Sequence, residues 1–503
     1  MDRLDVLKEG LRRAENFRAA ASYINFDMST ISPENARAHE GELIAFLENE
    51  AVRERKEPSF VSALLSSLKD IDSRDEWERA MVKEAYRTYR IEKNITKEEA
   101  YSFSLQEQQA FLDWEKAKKS ADFSIFSKSL QGVIENNKKR ASLRELDETE
   151  KGLMKSDYDR LLDMYERGMT TEILDPLFDD SKERIVSLLE KIKNSKKKIR
   201  RDFLTRKVPT EKQKEISEML QEVLLVDTTR SLISESAHAF TDRMAYDDVR
   251  ITTHYYEDQF LSNIYSIMHE SGHLMFDMMQ PKENHEYFIT EGKTLGMHES
   301  VSRFYENRIG RSKSFISLIY PRLLEIIPEA LSDVSESEFY EGVNIVEPSL
   351  IRTEADEVTY TLHIIIRYEL EKKLIGGEMS VEELPKAWNE MYSELLGVVP
   401  ENDAEGVLQD VHWSSDFGYF PTYAIGNFYN SMYYNAMNRD FDIGEAARSG
   451  NLERINSWMI ERVFKKADRL TPSEWIFDIT GRELTPCDFL DYLDEKYGEV
   501  YGL

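Results

Sequence analysis

The sequence contains few cysteine, glycine and proline residues. Among 503 residues there is one cysteine, Cys487, so no intrachain disulfide can form. Glycine (21) and proline (13) are scarce, which favours helices over the turns of a β-sandwich or barrel. No apolar run approaches the roughly 20 residues that span a bilayer, and residues 1–5 lack the apolar core of a signal peptide. We therefore expect a cytoplasmic chain without a membrane partner.

Positive charge is also in short supply. The 66 lysines and arginines are outnumbered by 95 aspartates and glutamates, which gives a formal net charge of −29. Such a surface repels phosphate backbones, so we expect no nucleic-acid partner. Hydrophobic residues make up 41% of the chain, which is enough for a sizeable core. The residue composition and the net charge together predict a large, mainly α-helical protein.

Helical periodicity runs through most of the chain and is interrupted by one strand pattern. Apolar residues recur at helical spacing over residues 2–141 and 156–195, which predicts helices joined by short loops. In residues 246–255, Val249, Ile251 and Thr253 alternate with polar residues, which predicts a β-strand. That strand could form a wall of a substrate groove or only a structural hairpin. We interpret residues 1–503 as a single domain, with a helical lobe or lid over 1–205 and a catalytic lobe over 206–503.

The stretch with the clearest chemistry is residues 267–275, which holds the pattern HExxH as HESGH beginning at His269. Four residues of α-helix turn through about 400°, so His269 and His273 lie on one face and can share a metal ion. Glu270 beside them could take a proton from a water that the metal activates. The alternative is that two histidines share a polar helix face by chance.

A metal site of this kind needs a third protein ligand and one position left for water. Glu299 is the candidate, because it lies in the next predicted helix, where the small residues Ser300 and Ser302 allow close helix approach. The alternative is an ordinary acidic residue in an acidic protein. His298 is expected to support the ligands rather than to be one.

Two further polar stretches are candidates for the site. Residues 351–376 are predicted to form one long helix with a polar stripe, which could serve the site or pack against another lobe. Residues 406–423 collect glycine, histidine, tryptophan and tyrosine side chains. An imidazole and a phenol there could stabilise an oxyanion, or the residues could form a buried aromatic corner.

Taken in order, these residues resemble the carboxypeptidase Taq family of metallocarboxypeptidases. The resemblance is carried by ordered motifs that run nearly the whole length of the chain: 237–240 (AHAF, where the family has HPF), 248–252 (DVRIT), HESGH from His269, HES around Glu299, 351–356 (IRTEAD), 406–413 (GVLQDVHW) and 418–423 (GYFPTY). One departure is Ala239, which stands where the family has proline and changes the loop that carries His238.

The resemblance implies a mainly α-helical, two-lobed, neurolysin-like fold with a deep central groove and a small β-sheet beside the HExxH helix. It implies an enzyme that removes single residues from peptide carboxyl termini with broad specificity. It also implies one Zn²⁺ per chain, with Co²⁺ as a possible substitute, and a homodimer. An oligopeptidase or endopeptidase with the same metal chemistry is the alternative function, and a non-catalytic helical scaffold is a third.

The resulting site hypothesis assigns each residue a role. His269, His273 and Glu299 bind the metal, and Glu270 is the general base. The oxyanion is stabilised by Tyr423, Tyr419 or His412 together with the metal. A free terminal carboxylate calls for the bidentate, permanently charged fork of arginine. The substrate-binding candidates are Arg352, which the resemblance favours, with Arg250, His238 and Thr252.

Overall fold

The computed structural model describes residues 3–289, 294–466 and 469–503. Helices account for most of the chain, as its composition predicts. Those that precede the sheet are α1 (Arg3–Thr30), α2 (Arg37–Lys56), α3 (Pro58–Ser67), α4 (Glu76–Glu92), α5 (Lys97–Ser120), α6 (Ser124–Leu143), α7 (Glu148–Leu153), α8 (Asp157–Tyr165), α9 (Thr171–Lys193) and α10 (Thr210–Leu224). Those that follow it are α11 (Phe260–Met279), α12 (Lys282–Glu286), α13 (Leu295–Arg303), α14 (Lys313–Ile326), α15 (Pro328–Leu331), α16 (Glu336–Gly342), α17 (Tyr360–Gly376), α18 (Leu384–Leu395), α19 (Pro421–Asp440), α20 (Ile443–Arg448), α21 (Leu452–Arg462), α22 (Pro472–Thr480) and α23 (Cys487–Tyr501).

A small sheet lies between α10 and α11 in the chain. Its strands β1 (Ser231–Glu235), β2 (Thr241–Ala245) and β3 (Asp248–Thr253) are ordered β1-β3-β2, with β1 parallel and β2 antiparallel to the central β3. The alternation seen in the sequence buries Val249 and Ile251 completely. The sheet packs against α11 through β2 and β3. The predicted mainly α-helical fold with a small sheet beside the HExxH helix is confirmed.

Close contact between α11 and α13 brings the two halves of the metal motif together. Gly272, inside the HESGH pattern, lies directly against the backbone of α13. A Cβ atom at this position would be 2.6 Å from the Cα of Ser302 and 2.8 Å from the carbonyl oxygen of Val301. Glycine is therefore required here by the close approach of two helix backbones, which a larger side chain would separate.

Among the residues that the structure describes, the hydrophobic contacts form one large core and one small one. The small core joins α1, α3 and α4 through residues such as Leu7, Leu64 and Val82, with Ile289 packed against it. Residues 110–203 share the large core with the helices that carry the site. The hydrophobic contacts thus divide the chain before residue 110, and a lobe boundary near residue 205 stays a prediction. Within the described ranges, none of the helices combines the length and apolar character needed to cross a membrane.

The predicted helix over residues 351–376 is wrong in its first third. Arg352–Glu354 form a short 3₁₀ turn, and α17 begins at Tyr360. The cause is Asp356, whose carboxylate accepts hydrogen bonds from the backbone amides of Val358 and Thr359. A side chain that binds nearby amides in this way starts a helix instead of continuing one. Arg352 therefore projects from a turn and does not share a helix face with His363.

Candidate active site

Three side chains from α11 and α13 converge as a metal-binding cluster. The Nε2 atoms of His269 and His273 lie 3.6 Å and 3.5 Å from Oε2 of Glu299. One ligand atom from each residue lies within 4.8 Å of the other two. Two imidazoles and one carboxylate are a donor set that suits a catalytic divalent metal, because three protein ligands leave a position for water. The residues present therefore fit the metal that the motif implies.

A second group of side chains fixes how the two imidazoles point. Nδ1 of His269 lies 2.9 Å from Oε2 of Glu306, and Nδ1 of His273 lies 2.6 Å from Nδ1 of His298. His298 in turn has its Nε2 atom 3.5 Å from Asp277. Because these contacts hold the Nδ1 atoms of both imidazoles, the two Nε2 atoms point into the cluster. Metal-binding histidines are commonly oriented in this way.

Arg303 holds the acidic members of the cluster in place. Its Nε donates to Oε1 of Glu299 at 2.9 Å, and its Nη1 lies 3.3 Å from Glu306. The guanidinium is also stacked 3.8 Å from the ring centre of Tyr360. Glu306 and Arg303 were not among the residues predicted from the sequence. Their spacing from Glu299 places all three on one face of a continuing helix, and this was the signal that could have identified them.

The charges around the cluster favour a cation between the three donors. Burial alone would lower the pKa of His269, but Glu299 and Glu306 raise it to about 9. Burial alone would raise the pKa of Glu299, but His269, His273 and Arg303 hold it below its ordinary value. Burial and His298 lower the pKa of His273 to about 4. A neutral His273 beside an ionised Glu299 presents lone pairs to an ion.

Glu270 lies beside the cluster and is anchored to the sheet. The residue is 6% exposed, and Oε2 of its carboxylate accepts a hydrogen bond of 2.6 Å from the hydroxyl of Thr241 in β2. Burial raises the pKa of Glu270, while His269 and the Thr241 hydrogen bond counteract the rise. A raised pKa brings a carboxylate closer to the range in which it can accept and return a proton near neutral pH.

The cluster opens into a groove of about 550 Å³ that connects it with several other predicted residues. The groove is lined on the sheet side by His238 and Ala239, and beyond the cluster by Arg352, Tyr360 and Tyr423. The structure thus brings six of the sequence-predicted residues to the lining of one cavity: His238, His269, Glu270, Glu299, Arg352 and Tyr423. His273 adjoins them through its contact with Glu299.

Arg352 lies within a buried charged network at one end of the groove. Its Nε and Nη2 atoms lie 3.0 Å and 2.9 Å from Oδ1 of Asp410. Arg367 binds the other oxygen of Asp410 and is completely buried. Two guanidinium groups share one carboxylate, so the network carries a net positive charge next to the groove. Burial opposes that charge, but Asp410 holds the pKa of Arg352 well above its ordinary value.

An aromatic group covers the same end of the groove. The guanidinium of Arg352 lies 4.9 Å from the ring centre of Tyr423, whose hydroxyl is 3.3 Å from Nε2 of His412. Burial and Arg352 lower the pKa of His412 to about 4, so its imidazole is neutral at pH 7. Tyr419 packs against Tyr423 with ring centres 5.3 Å apart. Of Tyr423, His412 and Tyr419, only Tyr423 is among the described residues that line the groove.

Two predicted substrate-binding residues, Arg250 and Thr252, are not among the described residues that line the groove. Arg250 pairs with both oxygens of Asp248 at 2.8 Å and 2.7 Å, and it stacks on Tyr23 and Phe26 of α1. Thr252 is completely buried and accepts a hydrogen bond from the amide of Phe240 at 3.0 Å. It therefore supports the loop that presents His238 to the groove.

Fold and site together define a class of protein: a helical metallopeptidase of the HExxH type with a carboxylate as third ligand. The family model described as carboxypeptidase Taq (M32) metallopeptidase matches residues 6–497. The chain belongs to this family.

Known relatives match along almost the whole chain. Carboxypeptidase 1 of Bacillus subtilis is 36% identical over 495 residues, which cover 98% of this chain and 97% of the relative. Thermostable carboxypeptidase 1 of Pyrococcus furiosus is 35% identical over 88% of this chain and 87% of its own. The crystal structure of the M32 carboxypeptidase from Deinococcus radiodurans superposes with a TM-score of 0.94 at 29% identity, covering 100% of each chain.

These findings establish the activity class. The protein is a metal-dependent carboxypeptidase, an enzyme that acts on peptides at their carboxyl termini. The alternative of an oligopeptidase with the same metal chemistry is not favoured. A divalent metal is implied by the family and matched by the three-residue cluster.

Proposed function

We propose that the chain binds one Zn²⁺ through His269, His273 and Glu299, and that it releases single amino acids from peptides of broad sequence. The observation that carries the proposal is the groove, which joins this cluster and Glu270 to a buried arginine with net positive surroundings. Nitrogen and oxygen donors in this number suit zinc, and Co²⁺ accepts the same set as a substitute.

The catalytic end of the groove is the metal cluster with Glu270. A divalent ion held there supplies Lewis-acid chemistry, which polarises a peptide carbonyl and lowers the pKa of a water. Glu270 accepts a proton from the attacking water through its carboxylate and returns it to the departing amine. Thr241 holds this carboxylate in position by its 2.6 Å hydrogen bond. Burial of Glu270 keeps competing solvent from the same oxygens.

The recognition end is Arg352. A peptide whose terminal carboxylate reaches this guanidinium places its last amide bond back toward Glu270. Asp410 and Arg367 fix the orientation of Arg352, and the net positive charge of the three favours an anion. This geometry explains why a free carboxyl terminus is the preferred substrate.

Tyr423 is the proposed oxyanion donor, because its ring lines the groove while His412 and Tyr419 lie behind it. His412 and Tyr419 would then orient the Tyr423 hydroxyl. His238 is proposed to contact the peptide from the sheet side, with Thr252 holding its loop. Arg250 is proposed to act only indirectly, through its contact with α1.

Three further properties rest on the family resemblance and the composition. We propose a homodimer, a cytoplasmic location, and a lobe over residues 1–205 that covers a catalytic lobe over 206–503. Separate hydrophobic packing of α1, α3 and α4 supports some independence of the first part of the chain.

The test is a peptide ladder followed by mass spectrometry, with metal analysis of the same preparation. We expect about one zinc per chain and successive loss of single carboxyl-terminal residues, both abolished by a chelator and restored by Zn²⁺ or Co²⁺. A peptide amidated at its carboxyl terminus should be cut far more slowly. Internal cleavage of the amidated peptide at an undiminished rate would contradict the proposal.

A further inference from the structure

A second cavity lies next to the segment that follows α13. After α13 the chain continues as a π-helix over Phe304–Gly310. Glu306 in this segment lines the groove, whereas Arg308, two residues later, lines a separate cavity of about 370 Å³. The groove and the second cavity share no lining residue among the described parts of the chain.

Arg308 is a buried charge that lacks a hydrogen-bond or ion-pair partner among the described residues. Its side chain belongs to a residue that is 6% exposed, and its guanidinium lies between the rings of Tyr434 and Tyr492, at 3.9 Å and 3.6 Å from their centres. In the described part of the chain it forms no hydrogen bond or ion pair, and its Nε and Nη1 atoms are enclosed without an acceptor. A buried guanidinium in this state is costly unless an anion joins it.

The neighbouring buried cation shows the contrast. Lys496 lines the same cavity, but its Nζ lies 2.7 Å from Oε2 of Glu357, so its charge is already matched. Glu357 also acts electrostatically on Arg308, but Arg308 is the buried cation of this cavity that has no carboxylate in ion-pair contact among the described residues.

The outer rim of the cavity carries an unmatched charge of the opposite sign. Most of the acidic residues that line the cavity are paired: Asp491 with Arg184, Glu499 with Lys313, and Asp488 with Arg482. Glu495 is exposed and has no ion pair or hydrogen bond among the described residues. The cavity thus has a free guanidinium inside and a free carboxylate outside.

From these charges we propose that the cavity binds a free α-amino acid, with its carboxylate at Arg308 and its ammonium toward Glu495. A zwitterion matches both charges, whereas a phosphate or other polyanion would leave the charge of Glu495 unmatched and would be repelled by it. The volume suits one amino acid, and the two tyrosine rings offer apolar faces to its side chain. The enzyme releases this class of molecule, so the inference rests on the carboxypeptidase function.

Equilibrium dialysis with radiolabelled L-leucine tests the proposal on the full-length, metal-loaded chain. The wild type and Arg352→Gln should each bind one equivalent of L-leucine in the second cavity, because this site does not use the groove. Arg308→Gln should lose this equivalent, and Glu495→Gln should bind it about tenfold more weakly, since each removes a charge-assisted contact. Glu499→Gln, whose carboxylate on the same rim is paired, is the matched control and should bind as the wild type does.

Two analogues locate the charges. N-acetyl-L-leucine lacks the ammonium and L-leucinamide lacks the carboxylate, so each should bind at least about tenfold more weakly than L-leucine. Equal binding in Glu495→Gln and the wild type would overturn the proposal, as would loss of all binding in Arg352→Gln. Glu495 is exposed, so its variant remains informative if Arg308→Gln does not fold.

Peptide hydrolysis measured on the same samples separates the two claims. If the enzyme hydrolyses peptides but binds no L-leucine outside the groove, only the proposal of the second site is refuted. Metal-loaded enzyme that hydrolyses no peptide refutes the proposed catalytic site instead.

Discussion

The two ends of the groove are built in different ways. The catalytic end stands on α11 and α13, two packed helices whose closest approach requires Gly272. The recognition end stands on a 3₁₀ turn at Arg352 and on the loop that carries Asp410. At the catalytic end the acids outnumber the arginines, and a cation is favoured; at the recognition end two arginines share one acid, and an anion is favoured.

This difference assigns distinct kinetic roles to the two ends. Changes at the catalytic end should lower turnover or metal affinity without changing the preference for a free carboxyl terminus. Changes at the recognition end should weaken that preference while leaving the metal bound. The following variants test this separation.

The largest effect is expected for Glu270→Gln. The amide keeps the shape of the side chain but cannot accept the proton, so kcat should fall by about 10²- to 10⁴-fold. Zinc content and the thermal unfolding temperature should match those of the wild type. Glu283→Gln, an exposed carboxylate on α12, is the matched control. Near-normal kcat in Glu270→Gln would remove this residue from the mechanism.

Arg352→Gln should produce the next largest effect. Loss of charge-assisted hydrogen bonds worth about 1.5–3 kcal/mol lowers kcat/KM by about 10- to 150-fold for a peptide with a free carboxyl terminus. The same peptide as an amide should be cut at nearly unchanged rate, because it never used this contact. Arg448→Gln, which removes an exposed arginine on α20 that pairs with Glu445, is the control. Equal losses on acid and amide would assign Arg352 a structural role.

Glu306→Gln should affect the metal more than recognition. The variant weakens the contact that orients His269, and such supporting contacts typically contribute about 10- to 100-fold to metal affinity. Competition with a chromogenic chelator measures this change. The preference for a free acid over an amide should remain as in the wild type. A loss of that preference without a change in zinc affinity would contradict the separation of the two ends.

The smallest effect on activity is expected for Glu166→Gln, which should change the pH dependence of stability. Glu166 accepts a hydrogen bond from the amide of Gly296 at the start of α13, and burial raises its pKa to about 8. Between its ordinary pKa of 4.5 and 8, the folded chain keeps this carboxyl protonated while the unfolded chain ionises it. Stability of the wild type therefore falls as pH rises through this window, by roughly 1.4 kcal/mol for each unit of pKa difference.

Glutamine imitates the protonated carboxyl, so denaturant titrations of Glu166→Gln at pH 5, 6.5 and 8 should show a flatter dependence than the wild type. The variant should gain stability relative to the wild type toward pH 8. Parallel curves for the two proteins would show that Glu166 is ionised throughout.

From the sequence, the metal-ligand candidates of the catalytic end could be predicted but not the supporting Glu306 and Arg303, and Arg352 could be predicted but not the turn that carries it. The histidines of α11 follow from helical spacing alone, and β3 follows from alternation, because local geometry places those side chains. Arg352 was assigned to a helix that begins eight residues later, since the capping contacts of Asp356 depend on the observed backbone. The burial of Thr252 and the pairing of Arg250 with Asp248 and α1 depend on tertiary contacts that no local pattern contains.

The most direct test of the account is an anomalous-difference map from crystals of the zinc-loaded chain, recorded at the zinc absorption edge. The account predicts one peak per chain within about 2.0–2.2 Å of Nε2 of His269, Nε2 of His273 and a carboxylate oxygen of Glu299. A peak bound by other residues, or no peak in a crystal of active enzyme, would contradict it.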